Sequence, residues 1–242
     1  MSIWRYANPA EFMGLTGKLM TPVWVLTALV LLPGLYWGLM LTPNADLFGS
    51  SVKILFVHVP TAFIAIQAYL VMAIASAIVI VRRQPVSFLV AKAAAPIGAV
   101  FTLLAIATGA IWGQPTWGTW WVWDARLTAI LIMFFFYLGY MALWAAIEEP
   151  EKAADLSAVL CLVGVVFAFL SRYAVEFFPT LHQAASLSVE AGQRVDDVYR
   201  TPLYVCMAGF SLLFVALLLV RTRTEIRLRR ARALRLRAGA YA

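Results

Sequence analysis

Six long apolar runs constrain this chain more than any other feature, because a charge-poor run of that length is matched to lipid. A helix needs about 20 largely apolar residues to cross a hydrocarbon core of roughly 30 Å. Apart from Arg172 at the end of the fifth run, none of the six contains Asp, Glu, Lys or Arg. We therefore predict an all-α integral membrane protein, a single membrane domain over residues 1–242. The predicted spans are 23–41, 54–81, 93–112, 127–147, 156–172 and 201–220.

The composition supports the same class of protein. Hydrophobic residues make up 63% of the chain and charged residues 13%, whereas a soluble domain has about half and a quarter. The net charge of +7 is concentrated, since eight of the 19 Lys and Arg residues lie in the tail 221–242. A basic block after an apolar span indicates a cytoplasmic anchor near anionic membrane lipid. We do not expect nucleic-acid binding, because no folded basic domain accompanies the tail.

The placement of basic residues predicts the orientation. With both termini inside (N-in/C-in), fourteen Lys and Arg residues face the cytoplasm and five face the outside, which agrees with the positive-inside rule. The five outer residues are Lys53, Arg126, Arg172, Arg194 and Arg200. The outer segments are then 42–53, 113–126 and 176–200, and the tail 221–242 is cytoplasmic.

The sequence lacks the motifs of several functions. Cys161 and Cys206 lie in apolar runs, and no CxxC or CxxCH occurs, so neither thiol oxidoreduction nor covalent attachment of c-type haem is expected. No Walker A motif is present, so any ATP hydrolysis belongs to a partner. The N-terminus lacks the pattern of a cleaved signal peptide, and we expect the first span to be retained.

The segment WGQPTWGTWWVWD (residues 112–124) is the strongest local signal, because it holds five of the nine tryptophans. A belt of interfacial Trp residues is the ordinary interpretation, but it accounts poorly for five in one loop. Trp117, Trp120, Trp121 and Asp124 have i, i+3, i+4, i+7 spacing, which predicts a short helix with one aromatic face. That face, with a carboxylate at its edge, suits a planar apolar macrocycle.

Two charged residues follow the tryptophans directly. Asp124 immediately precedes the fourth span, where Asp is a favoured N-cap, and this role is compatible with a role in the site. Arg126 lies at the outer lip of the same span. It is either an interfacial anchor or a partner for an anionic ligand group such as a propionate, and the sequence does not separate these two interpretations.

The chain has two histidines, His58 and His182. His58 lies at the outer end of the second span, where Pro60 should bend the helix. His182 is expected on a short helix that opens at Pro179. A single His on an apolar helix is usually a hydrogen-bonded core residue. Here both histidines map to the side of the Trp segment, so they are candidates for opposing axial ligands of a haem iron. Zinc is disfavoured, because no third or fourth protein ligand accompanies them.

These residues carry a resemblance to a known family. The stretch WGTWWVWDARLT (residues 117–128) resembles the WWD signature of bacterial haem-handling proteins. With six spans and one histidine on each side of the Trp segment, the chain is similar throughout its length to the haem exporter protein C (CcmC) family of cytochrome c maturation. Larger WWD relatives, the cytochrome c haem lyases or synthases, have further spans and histidines. The lack of those histidines argues against complete synthase activity.

The resemblance implies a function without catalysis. Members of the family bind b-type haem (haem b) at the periplasmic face of the bacterial inner membrane and help to load the haem chaperone CcmE, together with CcmD and the transporter subunits CcmA and CcmB. By that resemblance, His58 and His182 are axial ligands. The residues implied as the haem platform are Trp117, Trp120, Trp121, Trp123 and Asp124.

Two other functions stay open at the level of sequence. A membrane b-type cytochrome needs only two histidines for one haem, although both lie near one membrane face here. A haem-translocating permease subunit is the other alternative. The spans argue against it, because Gln67 is their clearest polar residue and polar groups normally mark a substrate route.

Overall fold

A computed structural model of the chain describes residues 3–182 and 195–239, and every long element in this part is a helix. All six α-helices are long and apolar enough to cross a membrane, which confirms the predicted all-α membrane protein with six spanning helices. They are α1 (Pro9–Tyr36), α2 (Leu55–Arg82), α3 (Pro85–Trp117), α4 (Ala125–Ala146), α5 (Pro150–Phe177) and α6 (Asp197–Gly239). Short helical turns, Trp37–Leu41 and Ser50–Ile54, lie between α1 and α2.

Proline starts three of these helices. Pro9, Pro85 and Pro150 occupy the first helical position of α1, α3 and α5, where the missing N–H group is not needed. Asn8 caps α1 by accepting a hydrogen bond from the Ala10 N–H at 2.8 Å. Because Pro85 and Pro150 start α3 and α5 soon after the preceding helices end, the α2–α3 and α4–α5 turns are short.

The helices extend beyond the predicted spans. The longest, α6, has 43 residues, or about 65 Å at 1.5 Å per residue, so the basic tail continues the last helix as far as Gly239. Residues 183–194, including Arg194 of the third outer segment, and residues 240–242 lie outside the described part. Where the membrane begins and ends along each helix stays a prediction.

Small residues and tyrosines pack the helices together. The main neighbours are α2 with α3, α4 with α5, and α1 with α6. Two buried tyrosines bond between helices: Tyr69 donates to the Cys161 carbonyl at 3.2 Å and Tyr137 to the Ala65 carbonyl at 2.8 Å. Both bonds satisfy a polar group inside an apolar bundle, and both tie another helix to α2.

The up-and-down order of the helices gives the bundle two different ends. The termini end, where α1, α3 and α5 begin, carries ion pairs between helices: Arg83 with Asp155, and Lys92 with Glu225 at 2.8 Å. The opposite end, called the site end below, holds the start of α2 and α4 and the end of α3 and α5. His58, the Trp segment and His182 all lie at the site end.

Candidate haem site

His58 is held in one orientation by the neighbouring helix. Its Nδ1 lies 3.1 Å from the Thr108 hydroxyl, which itself donates its proton to the Leu104 carbonyl at 2.6 Å. Because that proton is committed, the hydroxyl oxygen accepts from a protonated Nδ1. The unprotonated Nε2 then has its lone pair available, as a metal-binding imidazole requires.

The start of α2 and the end of α3 approach closely around this histidine. A Cβ atom at Gly109 would lie 2.9 Å from the His58 Cε1 atom, so the glycine leaves room for the imidazole. The Trp112 ring meets His58 edge-on, with centroids 5.8 Å apart and planes at 76°. The ring of His58 is therefore packed on two sides by α3, and α2 stays helical through Pro60.

His182 is reached by an irregular segment. The helix predicted to open at Pro179 is wrong, because residues 178–182 are not helical. The Phe178 N–H ends α5 by donating to the Ala174 carbonyl at 2.9 Å. The Thr180 hydroxyl then accepts from the His182 backbone N–H at 3.0 Å, a local side-chain bond that competes with helix formation.

The fold brings the two histidine rings together. Their centroids are 6.4 Å apart and their planes differ by 34°, and the Trp117 ring lies 5.8 Å from that of His182. When two imidazoles bind one metal ion from opposite sides, each metal–nitrogen bond is about 2 Å long. With the distance from each nitrogen to the centre of its ring added, the two centroids lie roughly 6 Å apart. The observed separation therefore fits an iron bound between the two side chains.

A cavity of about 420 Å³ opens beside the histidines, within the roughly 300–1,000 Å³ typical of small-molecule sites. Its walls come from α2, α3, α4, α5 and α6 and are largely apolar. The apolar lining includes Phe63, Ile66, Ile106, Leu127, Ile130 and Met207. Arg126 and Arg172 are the two charged side chains in the described lining, apart from the histidines. Such a cavity suits a ligand with a large apolar body and negatively charged substituents.

The Trp segment does not form the short helix predicted from its spacing. Instead α3 continues to Trp117, and Gly118 ends it with a φ of 76°, a left-handed conformation that glycine adopts without strain. Of the five residues implied as the platform, Trp117 lines the cavity. Trp120 and Trp123 are 61% and 75% exposed, and Trp121 is half-buried against Trp123.

Asp124 forms the N-cap of α4, as predicted from the sequence. Its Oδ1 accepts from the Leu127 N–H at 2.7 Å. Its Oδ2 accepts from the Thr180 hydroxyl. Asp124 is thus connected to the segment that carries His182, and it is not part of the cavity lining.

Comparison with known proteins identifies the family. The sequence profile of heme exporter protein C matches residues 2–237. The chain belongs to the haem exporter protein C family. It is 60% identical to the "Heme exporter protein C" of Rhodobacter capsulatus and to that of Paracoccus denitrificans, in each case over 97% of both chains. Its identity to the Escherichia coli K12 protein of the same name is 39%, over 92% of this chain and 89% of the relative.

The structure adds residues to the site of this member of the haem exporter protein C family. Sequence reasoning identified His58, His182, Trp117 and Arg126, which all line the cavity, but missed Arg172 and Thr108. The signal for Arg172 was that it is the one charged residue within the six predicted spans, at the outer end of the fifth. Thr108 gave no signal, because a threonine inside an apolar helix is ordinary, and its role appears only when α3 packs on α2.

Proposed function

We propose that this chain binds b-type haem at the site end and delivers it to the haem chaperone CcmE during cytochrome c maturation. The observation that carries the proposal is the pair of histidines, distant in sequence, whose rings lie 6.4 Å apart beside an apolar cavity. The name "Heme exporter protein C" of the relatives supports haem as the cargo. The function is binding and transfer, without catalysis by this chain.

The side chains divide the work by chemistry. The Nε2 atoms of His58 and His182 bind the iron, while the apolar cavity and Trp117 bury the macrocycle. Arg126 and Arg172 pair with the propionates. Trp120 and Trp123, which are exposed, meet the acceptor and cover the open edge of the haem.

The proposal extends to location and partners. The excess of basic residues at the termini end supports a haem site on the periplasmic side of the bacterial inner membrane. We propose that CcmD accompanies the chain, and that CcmA and CcmB supply the ATP hydrolysis that releases the loaded chaperone. This division agrees with the lack of a Walker A motif in the sequence.

The ligand assignment is tested by the spectra of haem-loaded protein. We expect the purified chain to show six-coordinate low-spin haem, and His58→Ala and His182→Ala each to lose one axial ligand. Added imidazole should restore the low-spin spectrum in either variant, which separates a lost ligand from a misfolded protein. Covalent haem on co-expressed chaperone, normalised to the inserted variant, then reports transfer.

Two outcomes would count against the proposal. Unchanged spectra in both single variants and in the double variant would remove the bis-histidine assignment. Normal haem binding without any loading of the chaperone in wild-type protein would favour a membrane b-type cytochrome instead.

A further inference from the structure

The carboxylate of Asp124 links three separate pieces of the site end. It lies at the end of the Trp segment and caps α4 through the Leu127 N–H at 2.7 Å. Its second oxygen bonds Thr180, which lies beyond the end of α5. Both oxygens are therefore engaged by the protein itself, so the carboxylate serves as a structural connection between segments.

The direction of these hydrogen bonds follows from the available protons. An ionised carboxylate only accepts, so the bond between Asp124 and Thr180 uses the single hydroxyl proton of Thr180. The hydroxyl oxygen is then left to accept, and the His182 N–H donates to it at 3.0 Å. A directed chain runs from the His182 backbone through Thr180 to Asp124, and the bond to the charged carboxylate is its strong member.

His182 needs such a support because of where it lies. α5 ends at Phe177, and Pro179 has no N–H to continue backbone hydrogen bonding. The residues from 178 to 182 form neither helix nor strand. The His182 ring nevertheless lies 6.4 Å from that of His58 and 5.8 Å from that of Trp117.

We propose that Thr180, anchored by Asp124, is a positioning residue for His182. The hydrogen bonds from the His182 backbone through Thr180 to Asp124 hold the second imidazole where it binds iron. The inference rests on the proposed function, because it requires His182 to be an axial ligand. It changes the role implied for Asp124 by the family resemblance: the carboxylate acts through Thr180 on the ligand, and not as part of the surface under the macrocycle.

The test compares variants of Thr180 and Asp124 with a control variant, in haem-loaded protein purified in detergent. Thr180→Val keeps the shape and removes the hydroxyl, and Thr180→Ser restores it. Asp124→Asn retains an oxygen for the Leu127 cap but turns an NH₂ group, which is a donor, toward Thr180. Thr42→Val is the control, since the Thr42 hydroxyl is buried and bonds the Gly38 carbonyl of its own turn.

We expect Thr180→Val and Asp124→Asn to raise the fraction of haem lacking the sixth ligand by about two- to tenfold, as the loss of one hydrogen bond predicts. Added imidazole should reverse the effect, and Thr180→Ser and Thr42→Val should resemble wild type. Because the two residues act in one chain, the double variant Asp124→Asn/Thr180→Val should be no worse than either single variant.

His182→Ala separates the failure of this inference from failure of the proposed function. If His182→Ala loses the ligand while Thr180→Val and Asp124→Asn keep the wild-type spectrum, the positioning role is overturned and the ligand assignment stands. If His182→Ala itself has no effect, both are overturned. If Thr180→Val does not insert, Asp124→Asn decides by the same spectrum, and additive effects in the double variant would also contradict a shared chain.

Discussion

At the scale of single residues, Trp120 and Trp123 are distinguished by their exposure. Both are large apolar side chains in a loop, and they are 61% and 75% exposed. Trp121 between them is half-buried, and its indole N–H is buried without a partner in the described structure. Exposed aromatic rings a few residues from Trp117, which lines the cavity, are suited to contact with a second macromolecule.

We predict that Trp120→Ala/Trp123→Ala leaves most haem bound but lowers loading of the chaperone by about fivefold or more. Each aromatic contact contributes about 0.5–1.5 kcal/mol beyond burial, so the loss of two corresponds to at least about 1 kcal/mol. The two histidines proposed as iron ligands are left intact by this change. The measurement is covalent haem on co-expressed chaperone, relative to the amount of inserted variant.

Trp37→Ala is the matched control for this prediction. Trp37 ends α1 toward the site end, is 40% exposed and does not line the cavity, which is the situation of an ordinary interfacial tryptophan. Equal loading by the double variant, by Trp37→Ala and by wild type would show that the exposed pair is only an aromatic belt.

At the scale of elements, the position of α3 decides the geometry of the site. This helix carries Gly98, against which the Tyr137 ring of α4 packs, and Gly109, against which His58 of α2 packs. The absence of a side chain at both glycines lets two neighbouring helices approach α3 closely, as small residues do in membrane bundles. Thr108 then reaches His58 from the same helix.

We predict that Gly98→Ala destabilises the bundle by about 1–3 kcal/mol, the usual cost of overpacking a filled core. The added methyl group would overlap the ring of Tyr137, which is fully buried and bonded to the Ala65 carbonyl. Thermal unfolding of the purified protein in detergent measures the effect. Gly14→Ala is the control, because no atom lies within 4 Å of a Cβ there, and equal melting temperatures for the two variants would contradict the prediction.

At the scale of the whole molecule, the two ends of the bundle differ in charge. Ion pairs between helices and the eight arginines from Arg221 onward belong to the termini end, whereas the cavity belongs to the site end. Positive charge is retained on the cytoplasmic side. The site end is therefore expected to face the periplasm.

We predict that a reporter active only in the periplasm is active when inserted at Gln114, which is exposed at the site end, and silent after Ala242. Insertion near Gly192 should also be active, although this residue, like Ala242, lies outside the described residues. A reporter between Arg83 and Gln84, in the short α2–α3 turn, is the silent control. Activity after Ala242 would overturn the six-span orientation.

The sequence by itself determined the membrane class and the six helices, and it supplied the candidate site residues. Hydropathy is a property of each run taken alone, so the apolar runs predicted α1 to α6 without knowledge of their packing. The N-cap role of Asp124 was also predictable, because a cap depends on residues within one turn. The two histidines and the Trp segment were recognised by residue type and by their place at the same ends of spans.

Only the tertiary structure decided how these residues meet. The spacing of Trp117 to Asp124 predicted a helix, but Gly118 ends α3 in a left-handed conformation. The spacing of the tryptophans alone does not distinguish a glycine that continues a helix from one that ends it as a left-handed cap. Arg126 and Arg172 come from different helices to line one cavity. The hydrogen bond from His58 to Thr108 and the hydrogen bonds that connect His182 through Thr180 to Asp124 likewise join different helices or the segments between them. Such contacts arise from the approach of helices across the bundle, which no local pattern in the sequence specifies.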